Sequence, residues 1–301
     1  MFRPLIPLLT SLLLLGALVL NAAEPAPLKT LAGEIEGARW AALVPENWDG
    51  RLLLQAPDRR QAADPLVANL DSADPATDKL LAAGWAIATT SYRRHGPLIE
   101  DGVTDLRALR DLLAEELGQP KLTLVEGTGM GGLIALFIAE RHADEFHGCI
   151  ALDPPMDLRD PRALRLRYDH QPRAPLLLLA TPADVDPVQA YVARARTMAN
   201  AESARPVFWF VPTDPMAAGA APQEEALATM EEWVRTGRQP ADRPPPEPEA
   251  PAKADSSEVP AREPVAEGEG GGATVHASEA PAAAPVEPSS APPPPDVTAK
   301  P

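Results

Sequence analysis

The sequence predicts an α/β fold with a mostly parallel central sheet and helices on both faces. Short apolar segments typical of strands alternate along the chain with amphipathic segments typical of helices. In the middle of this alternation, a strand-like segment runs through a glycine-rich turn directly into an apolar helix. Because parallel strands need a crossover connection, usually a helix, this order favours a parallel sheet that is covered on both sides.

The predicted domain occupies residues 24–239, and a segment of different composition precedes it. Arg3 comes before an apolar run over residues 5–20 that ends in Asn21-Ala22-Ala23, which is the layout of a secretory signal peptide, here residues 1–23. The run is shorter than the ~20 residues that usually cross a bilayer. We expect export to the periplasm or the exterior, or membrane anchoring if the signal is not cleaved.

A second unusual segment follows the predicted domain. Residues 240–301 consist mainly of Pro, Ala, Glu, Gly and Ser. Such a composition does not bury enough apolar surface to offset the entropy of ordering the chain. It therefore predicts a disordered, acidic and partly polyproline-like tail.

The net charge limits which partners the protein can bind, and the cysteine content limits how its fold is stabilised. The formal net charge of −16 argues against nucleic acid as a partner. Cys149 is the only cysteine, so no intramolecular disulfide forms and the core must hold the fold. The expected partners are a small ligand or an envelope protein.

The first half of the domain starts with a predicted hairpin and ends with a helix. Residues 28–36 and 39–44 are two short runs around Glu36-Gly37, and a turn followed by a strand comes next in residues 44–55. A polar connection that is partly helical over residues 78–83 leads into a strand at residues 84–92. Residues 99–117 have leucines at helical spacing, and Gly118 and Pro120 end that helix.

The second half continues the alternation. The predicted strands are residues 121–126, 148–153, 175–180 and 207–211, and the predicted helices are residues 130–142, 188–198 and 222–235. No internal repeat is visible.

The turn Gly127-Thr128-Gly129-Met130-Gly131 has the frame of a nucleophile elbow. In that pattern, G-x-S-x-G, a strand turns sharply into a helix and lifts the central side chain above the end of the sheet. Gly129 occupies the central position here. Glycine tolerates the strained backbone of such a turn, but it has no oxygen that attacks a carbonyl.

Four segments together resemble the α/β-hydrolase superfamily, in particular its secreted esterase-like and peptidase-like members, over residues 28–238. They are residues 44–50 (VPENWDG), 83–88 (AGWAIA) with 91–93 (SYR), 129–135 (GMGGLIA) with 139–142 (AERH), and 177–184 (LLLATPAD). The resemblance implies an α/β-hydrolase fold in which Gly129 stands where the nucleophile serine belongs.

The resemblance also implies the other parts of a catalytic site. Asp184 matches the triad acid, and Asp153 is the alternative, while the Met130 backbone N–H matches one oxyanion donor. The second donor comes from the loop after Leu54, which lacks the His-Gly of many relatives. The family's histidine belongs after the last strand, but residues 212–219 (PTDPMAAG) contain no histidine.

Other residues are alternatives for each missing role. The neighbouring hydroxyl of Thr128, or that of Ser91, is an alternative nucleophile, and His95 or His170 is an alternative base. Cys149 is expected in the core as a small apolar residue rather than as a reactive thiol. Asp184 has a structural interpretation too, as the cap of the following helix.

The sequence predicts no cofactor and no metal. The five histidines are scattered without a pair at i, i+4 that has carboxylates nearby. Residues 127–132 lack the Lys-Ser/Thr of a phosphate loop and fit a dinucleotide fingerprint poorly.

Acyl transfer needs a nucleophile, a base and a carboxylate that orients the base. Since the first two are missing from their expected positions, the sequence favours an inactive hydrolase fold with a binding role. One alternative is an active esterase or peptidase with a displaced nucleophile and base. Another is an envelope structural protein in which the tail makes the important contacts.

Overall fold

The computed structural model describes residues 28–96, 98–156, 167–212 and 221–246. The predicted signal peptide, most of the predicted tail and most of the loop that should carry the family's histidine lie outside these residues.

The described strands form one eight-stranded sheet. The strands are β1 (Leu28–Ile35), β2 (Ala38–Pro45), β3 (Arg51–Ala56), β4 (Trp85–Thr90), β5 (Leu122–Thr128), β6 (Gly148–Leu152), β7 (Leu176–Ala180) and β8 (Val207–Phe210). Their order in the sheet is β1-β2-β4-β3-β5-β6-β7-β8. β2 pairs antiparallel with β1 and β4, and all other neighbours are parallel. The prediction of a mostly parallel sheet is confirmed.

The described helices lie on both faces of the sheet, as predicted. They are α1 (Pro75–Ala82), α2 (Ile99–Leu117), α3 (Met130–Arg141), α4 (Val185–Met198) and α5 (Ala221–Thr236). α2, α3 and α4 share one core cluster with Leu52, Leu54 and Val125. α5 packs with Leu53 and Leu124, whose side chains alternate to the other face, and α1 packs on that face through Leu81.

Two helices begin earlier than the sequence pattern indicates. α1 starts at Pro75 because the Asp74 side chain accepts a hydrogen bond from Thr77 N and thereby caps the helix. α4 starts at Val185, two residues before Pro187. A proline fits the first turn because the N–H groups there have no partner within the helix.

Contacts with the sheet continue beyond residue 239, where the composition places the start of the tail. Arg243 N donates to Phe208 O at 2.8 Å, and Phe210 N donates to Arg243 O at 2.7 Å. The Arg243 guanidinium carbon lies 3.6 Å from the centre of the Trp209 ring. The segment around Arg243 thus covers part of the free edge of β8.

No helix in the described parts of the chain is both long and apolar enough to cross a membrane.

Candidate functional site

The turn between β5 and α3 consists of one residue, Gly129. Its backbone has φ 58° and ψ −122°, a conformation that a residue with a Cβ adopts only under strain. Gly129 N donates to Leu152 O at 2.9 Å, which ties the turn to the end of β6. All residues of α3 except Arg141 are buried, so this helix runs through the core directly behind the turn.

Gly131, in the first turn of α3, allows the turn to pack directly against β3. A Cβ at Gly131 would lie 2.7 Å from the Ala56 carbonyl carbon and closer still to its oxygen. Both are backbone atoms of a central strand, so they have no room to move away. Position 131 therefore requires glycine, and the glycine pattern of the sequence reflects this close packing.

The side chain of Asp58 fills the space above Gly129. A Cβ at Gly129 would lie 2.6 Å from Asp58 Cγ and closer still to Oδ1. Asp58 Oδ1 accepts a hydrogen bond from Met130 N at 2.8 Å and another from Arg59 N at 2.6 Å. The Met130 N–H, the donor that the resemblance assigns to an oxyanion, is thus occupied by a carboxylate of the same chain.

Tyr92 holds the loop that carries Asp58. Its hydroxyl donates to Pro57 O at 2.8 Å, and its side chain is 2% exposed. Burial raises the pKa of Tyr92 well above its usual value, and the charge of Asp58 raises it further. The hydroxyl therefore stays protonated and remains a donor, which fixes the residue before Asp58.

The two predicted acids lie at the carboxyl ends of β6 and β7. Asp153 follows β6 with φ 40°, and its Oδ1 accepts from Thr181 N at 2.7 Å. Asp184 precedes α4, but its side chain makes no capping hydrogen bond. Burial raises the pKa of Asp184, and the charge of Asp153 adds to this effect. The structure thus brings both acids to the same edge of the sheet.

Three of the four described histidines lie away from Gly129. α3 is 12 residues long, about 18 Å at 1.5 Å per residue, and His142 follows its far end. His170 N donates to Glu140 in the last turn of that helix. His147 Nδ1 accepts from Thr123 N at the start of β5, at the opposite edge of the sheet.

The fourth described histidine, His95, follows β4 near the carboxyl edge of the sheet. Its Nε2 lies 2.7 Å from Asp64 O, so this ring nitrogen is bound to a backbone carbonyl. His276 and most of the loop after β8 lie outside the described residues.

The alternative nucleophiles have different surroundings. Ser91 is 1% exposed; its Oγ accepts from Arg39 N and donates to Tyr92 O. Cys149 is fully buried in β6, and burial raises the pKa of its thiol far above its usual range. Thr128 is half-buried at the end of β5.

A metal centre is not evident in the part of the chain that the structure describes, since no three His, Cys, Asp or Glu side chains there form a potential metal cluster.

Comparisons with known proteins agree with the fold. No protein-family model matches the sequence, and no curated protein sequence matches it significantly. The structure is similar to an esterase of Pyrococcus furiosus, with a TM-score of 0.53 and 14% identity over 70% of this chain and 93% of the esterase. It is also similar to an acylaminoacyl peptidase of Pyrococcus horikoshii, with a TM-score of 0.51 and 11% identity over 72% of this chain and 43% of the peptidase.

A prolyl endopeptidase is similar too, with a TM-score of 0.50 and 14% identity over 69% of this chain and 38% of the enzyme. These three structures and the strand order establish that the chain has an α/β-hydrolase fold. At such low sequence identity the similarity shows a shared fold only, and any catalytic activity has to be argued from the residues of this chain.

The role of Asp58 is absent from the sequence-based prediction. The resemblance already places the loop after Leu54 at the oxyanion position but gives Asp58 no role, and the sheet order explains the contact by making β3 the direct neighbour of β5. Because adjacent parallel strands end side by side, the loop after β3 reaches the turn after β5.

Proposed function

We propose that the protein is an exported, catalytically inactive α/β-hydrolase-fold protein that binds a ligand or a partner protein. The observation that carries the proposal is the hydrogen bond from Met130 N to Asp58 Oδ1 beside Gly129. In this proposal Gly129 stands where active relatives carry serine, and the Asp58 carboxylate takes the space of the missing side chain.

The occupied Met130 N–H opposes acyl transfer in addition to the missing hydroxyl. An oxyanion hole stabilises negative charge with donors that are free to receive it. Here a substrate oxygen would have to displace a carboxylate, whose charge would repel the developing oxyanion. Asp153 and Asp184 would remain as the acids of a site that has lost its nucleophile.

The alternative function is an active esterase or peptidase with a displaced nucleophile and base. Its support is the intact frame of β5, the glycine turn and α3. The Ser91 hydroxyl is already hydrogen-bonded to two backbone groups. The remaining candidate nucleophile is the hydroxyl of Thr128, which directly precedes Gly129 in the sequence.

Labelling with a fluorophosphonate probe, together with turnover of p-nitrophenyl acetate, separates the two functions. We expect no labelling of the native protein and no ester turnover above that of a non-enzymatic protein. Thr128→Val tests the nearest hydroxyl, and Thr104→Val, on the exposed surface of α2, is the matched control. Labelling at Thr128 that disappears only in Thr128→Val would overturn the proposal in favour of an active enzyme.

Export is a separate part of the proposal and rests on the signal-like residues 1–23. Fractionation of cells that express the full chain, followed by N-terminal sequencing, tests it. We expect an extracytoplasmic protein that begins near Glu24, and the tail after the folded unit would then act as a spacer or docking segment. Recovery of a cytoplasmic protein that keeps Met1 would contradict export.

A further inference from the structure

A second candidate site lies between α1 and α5, on the face of the sheet opposite α3. It is a cavity of about 450 Å³. Neither Gly129, Met130 nor Asp58 lines this cavity. Its size falls within the range of about 300–1,000 Å³ that is typical of small-molecule sites.

Two polar side chains, Gln55 and Glu126, line the cavity from the central strands. They are direct partners in the parallel pairing of β3 and β5, and Gln55 Nε2 donates to Glu126 Oε1 at 3.0 Å. Leu53 and Leu124, two residues earlier on the same strands and therefore on the same face of the sheet, are buried. Ile150 on β6, the neighbour of Glu126, is buried as well. Gln55 and Glu126 themselves are only half-buried because they are open to the cavity, so the Glu126 carboxyl group can contact a bound molecule.

Glu126 lacks a cationic partner among the described residues. Within the described residues, the Glu126 carboxyl group accepts a single hydrogen bond, which comes from Gln55. Burial raises the pKa of Glu126, although the Gln55 hydrogen bond opposes this effect. The carboxyl group faces a cavity in which a bound cation would compensate its charge.

The other charged groups that line the cavity are already engaged. Arg51 forms ion pairs with Asp49 and Glu231, and its guanidinium carbon lies 5.0 Å from the centre of the Trp85 ring. Lys79 pairs with Glu224 at 2.9 Å. Asp74 accepts the hydrogen bond that caps α1.

The remaining lining favours a ligand with an apolar body. Leu80 from α1 and Leu227 from α5 face the cavity, together with Ala228 and the buried ring of Trp85. Four of the lining side chains are acidic (Asp74, Glu126, Glu224 and Glu231), and two are basic (Arg51 and Lys79). This balance disfavours anions, and a neutral alcohol would leave the Glu126 charge uncompensated.

We propose that this cavity binds a small protonated amine, with the ammonium group at Glu126 and the apolar body between Leu80 and Leu227. The ammonium group supplies the hydrogen-bond donors and the positive charge that Glu126 lacks. The inference is independent of the proposed function, because its site and its chemistry do not involve the turn at Gly129.

Calorimetric titration of the full chain with n-hexylamine, n-hexanol and hexanoate at neutral pH tests the proposal. n-Hexylamine is protonated under these conditions. We expect n-hexylamine to bind about tenfold or more tightly than n-hexanol, because a charged hydrogen bond replaces a neutral one. Hexanoate should show no binding.

Two variants assign the binding to Glu126. Glu126→Gln keeps the shape of the side chain and should weaken n-hexylamine binding about tenfold or more. The matched control is Glu232→Gln, at the exposed pair with Arg235 on α5 and outside the cavity lining, which should change the affinity less than about threefold. Ala228→Phe should weaken binding by filling the cavity without changing its charge.

Three outcomes would overturn the proposal. They are no detectable binding of n-hexylamine, equal binding of n-hexanol, and an unchanged affinity in Glu126→Gln.

Discussion

Asp58 Oδ1 lies 2.8 Å from the backbone nitrogen of Met130, at the N-terminus of α3. A carboxylate is favourable at this end of a helix because unpaired N–H groups and the helix dipole attract negative charge. The same contact places the Asp58 side chain over the Cα of Gly129. Asp58 is an exposed residue, so a single contact at the protein surface both caps the helix and covers Gly129.

Gly129→Ser should destabilise the fold through both backbone strain and contact with Asp58. The new Cβ forces Asp58 to rotate away and to lose its hydrogen bond to Met130. We expect the free energy of unfolding to fall by about 2–4 kcal/mol, measured by urea denaturation.

Gly118→Ser is the matched control for this prediction. Gly118 also has a positive φ, 95°, but no atom lies within 4 Å of a Cβ built there. With φ 95° and ψ 161°, Gly118 has a backbone conformation that favours glycine, so Gly118→Ser should cost about 1–3 kcal/mol through strain alone. If Asp58 is responsible for the difference, Asp58→Ala and Gly129→Ser will be less destabilising together than the sum of the single changes. Additive effects would show that Asp58 does not obstruct the position.

Glu126→Gln should stabilise the protein at pH 7 and have little effect in acid. Burial raises the pKa of Glu126 in the folded state above 4.5, so the folded protein holds this proton more tightly than the unfolded chain. The stability gained from the protonated form is complete below pH 4.5 and disappears as the pH rises through the folded-state pKa. Glutamine mimics the protonated form at every pH, so its advantage grows as the pH rises above 4.5 and is complete above the folded-state pKa.

Urea denaturation of wild type and Glu126→Gln at several pH values between 4 and 8 measures this difference. A stability difference that does not change with pH would show that Glu126 has the same pKa in the folded and unfolded states. Glu224→Gln is the control for losing a carboxylate at the exposed rim.

The Cys149 thiol should be unreactive in the native protein. Its side chain is 0% exposed in β6, so a reagent cannot reach the sulfur. Burial also raises the pKa of the thiol, so the reactive thiolate does not form at neutral pH. We expect a thiol reagent such as DTNB to modify Cys149 only at guanidinium concentrations that unfold the protein. Rapid stoichiometric modification in buffer would instead indicate an exposed, activated thiol.

Truncation after Gln239 should lower the melting temperature, whereas truncation after Pro246 should not. The shorter chain loses the Arg243 pairing with β8 and its contact with the Trp209 ring. It also loses the ion pair between Asp242 and Arg196. These contacts together are worth about 1–3 kcal/mol. Equal melting temperatures for the two truncated proteins would show that the segment after residue 239 adds nothing to stability.

Local patterns predict most of the fold. α2 begins and ends where the leucine spacing and Gly118 indicate, because an amphipathic helix and its end signals are encoded within its own segment. The hairpin of β1 and β2 follows in the same way from the runs on either side of Glu36-Gly37. The early starts of α1 and α4 show the limit of such patterns, since each depends on how a proline fits the first helical turn.

The candidate site is only partly predictable. The glycines at positions 127, 129 and 131 identify the sharp turn, because close backbone packing leaves a local trace in the sequence. The two acids, Asp153 and Asp184, also follow from the strands that precede them. The histidines show the opposite case, since their contacts with Glu140, Thr123 and Asp64 depend on distant parts of the chain.

The sequence alone determines the α/β class and the order of the elements. It also determines that the turn at Gly129 has no side-chain nucleophile. Each of these is set by neighbouring residues and their periodicity. The tertiary structure decided that Asp58 fills the space above that turn and that Glu126 faces a cavity between α1 and α5. The physical reason is that both arrangements depend on strand adjacency and helix packing, which join residues such as Asp58 and Met130 that are 72 positions apart.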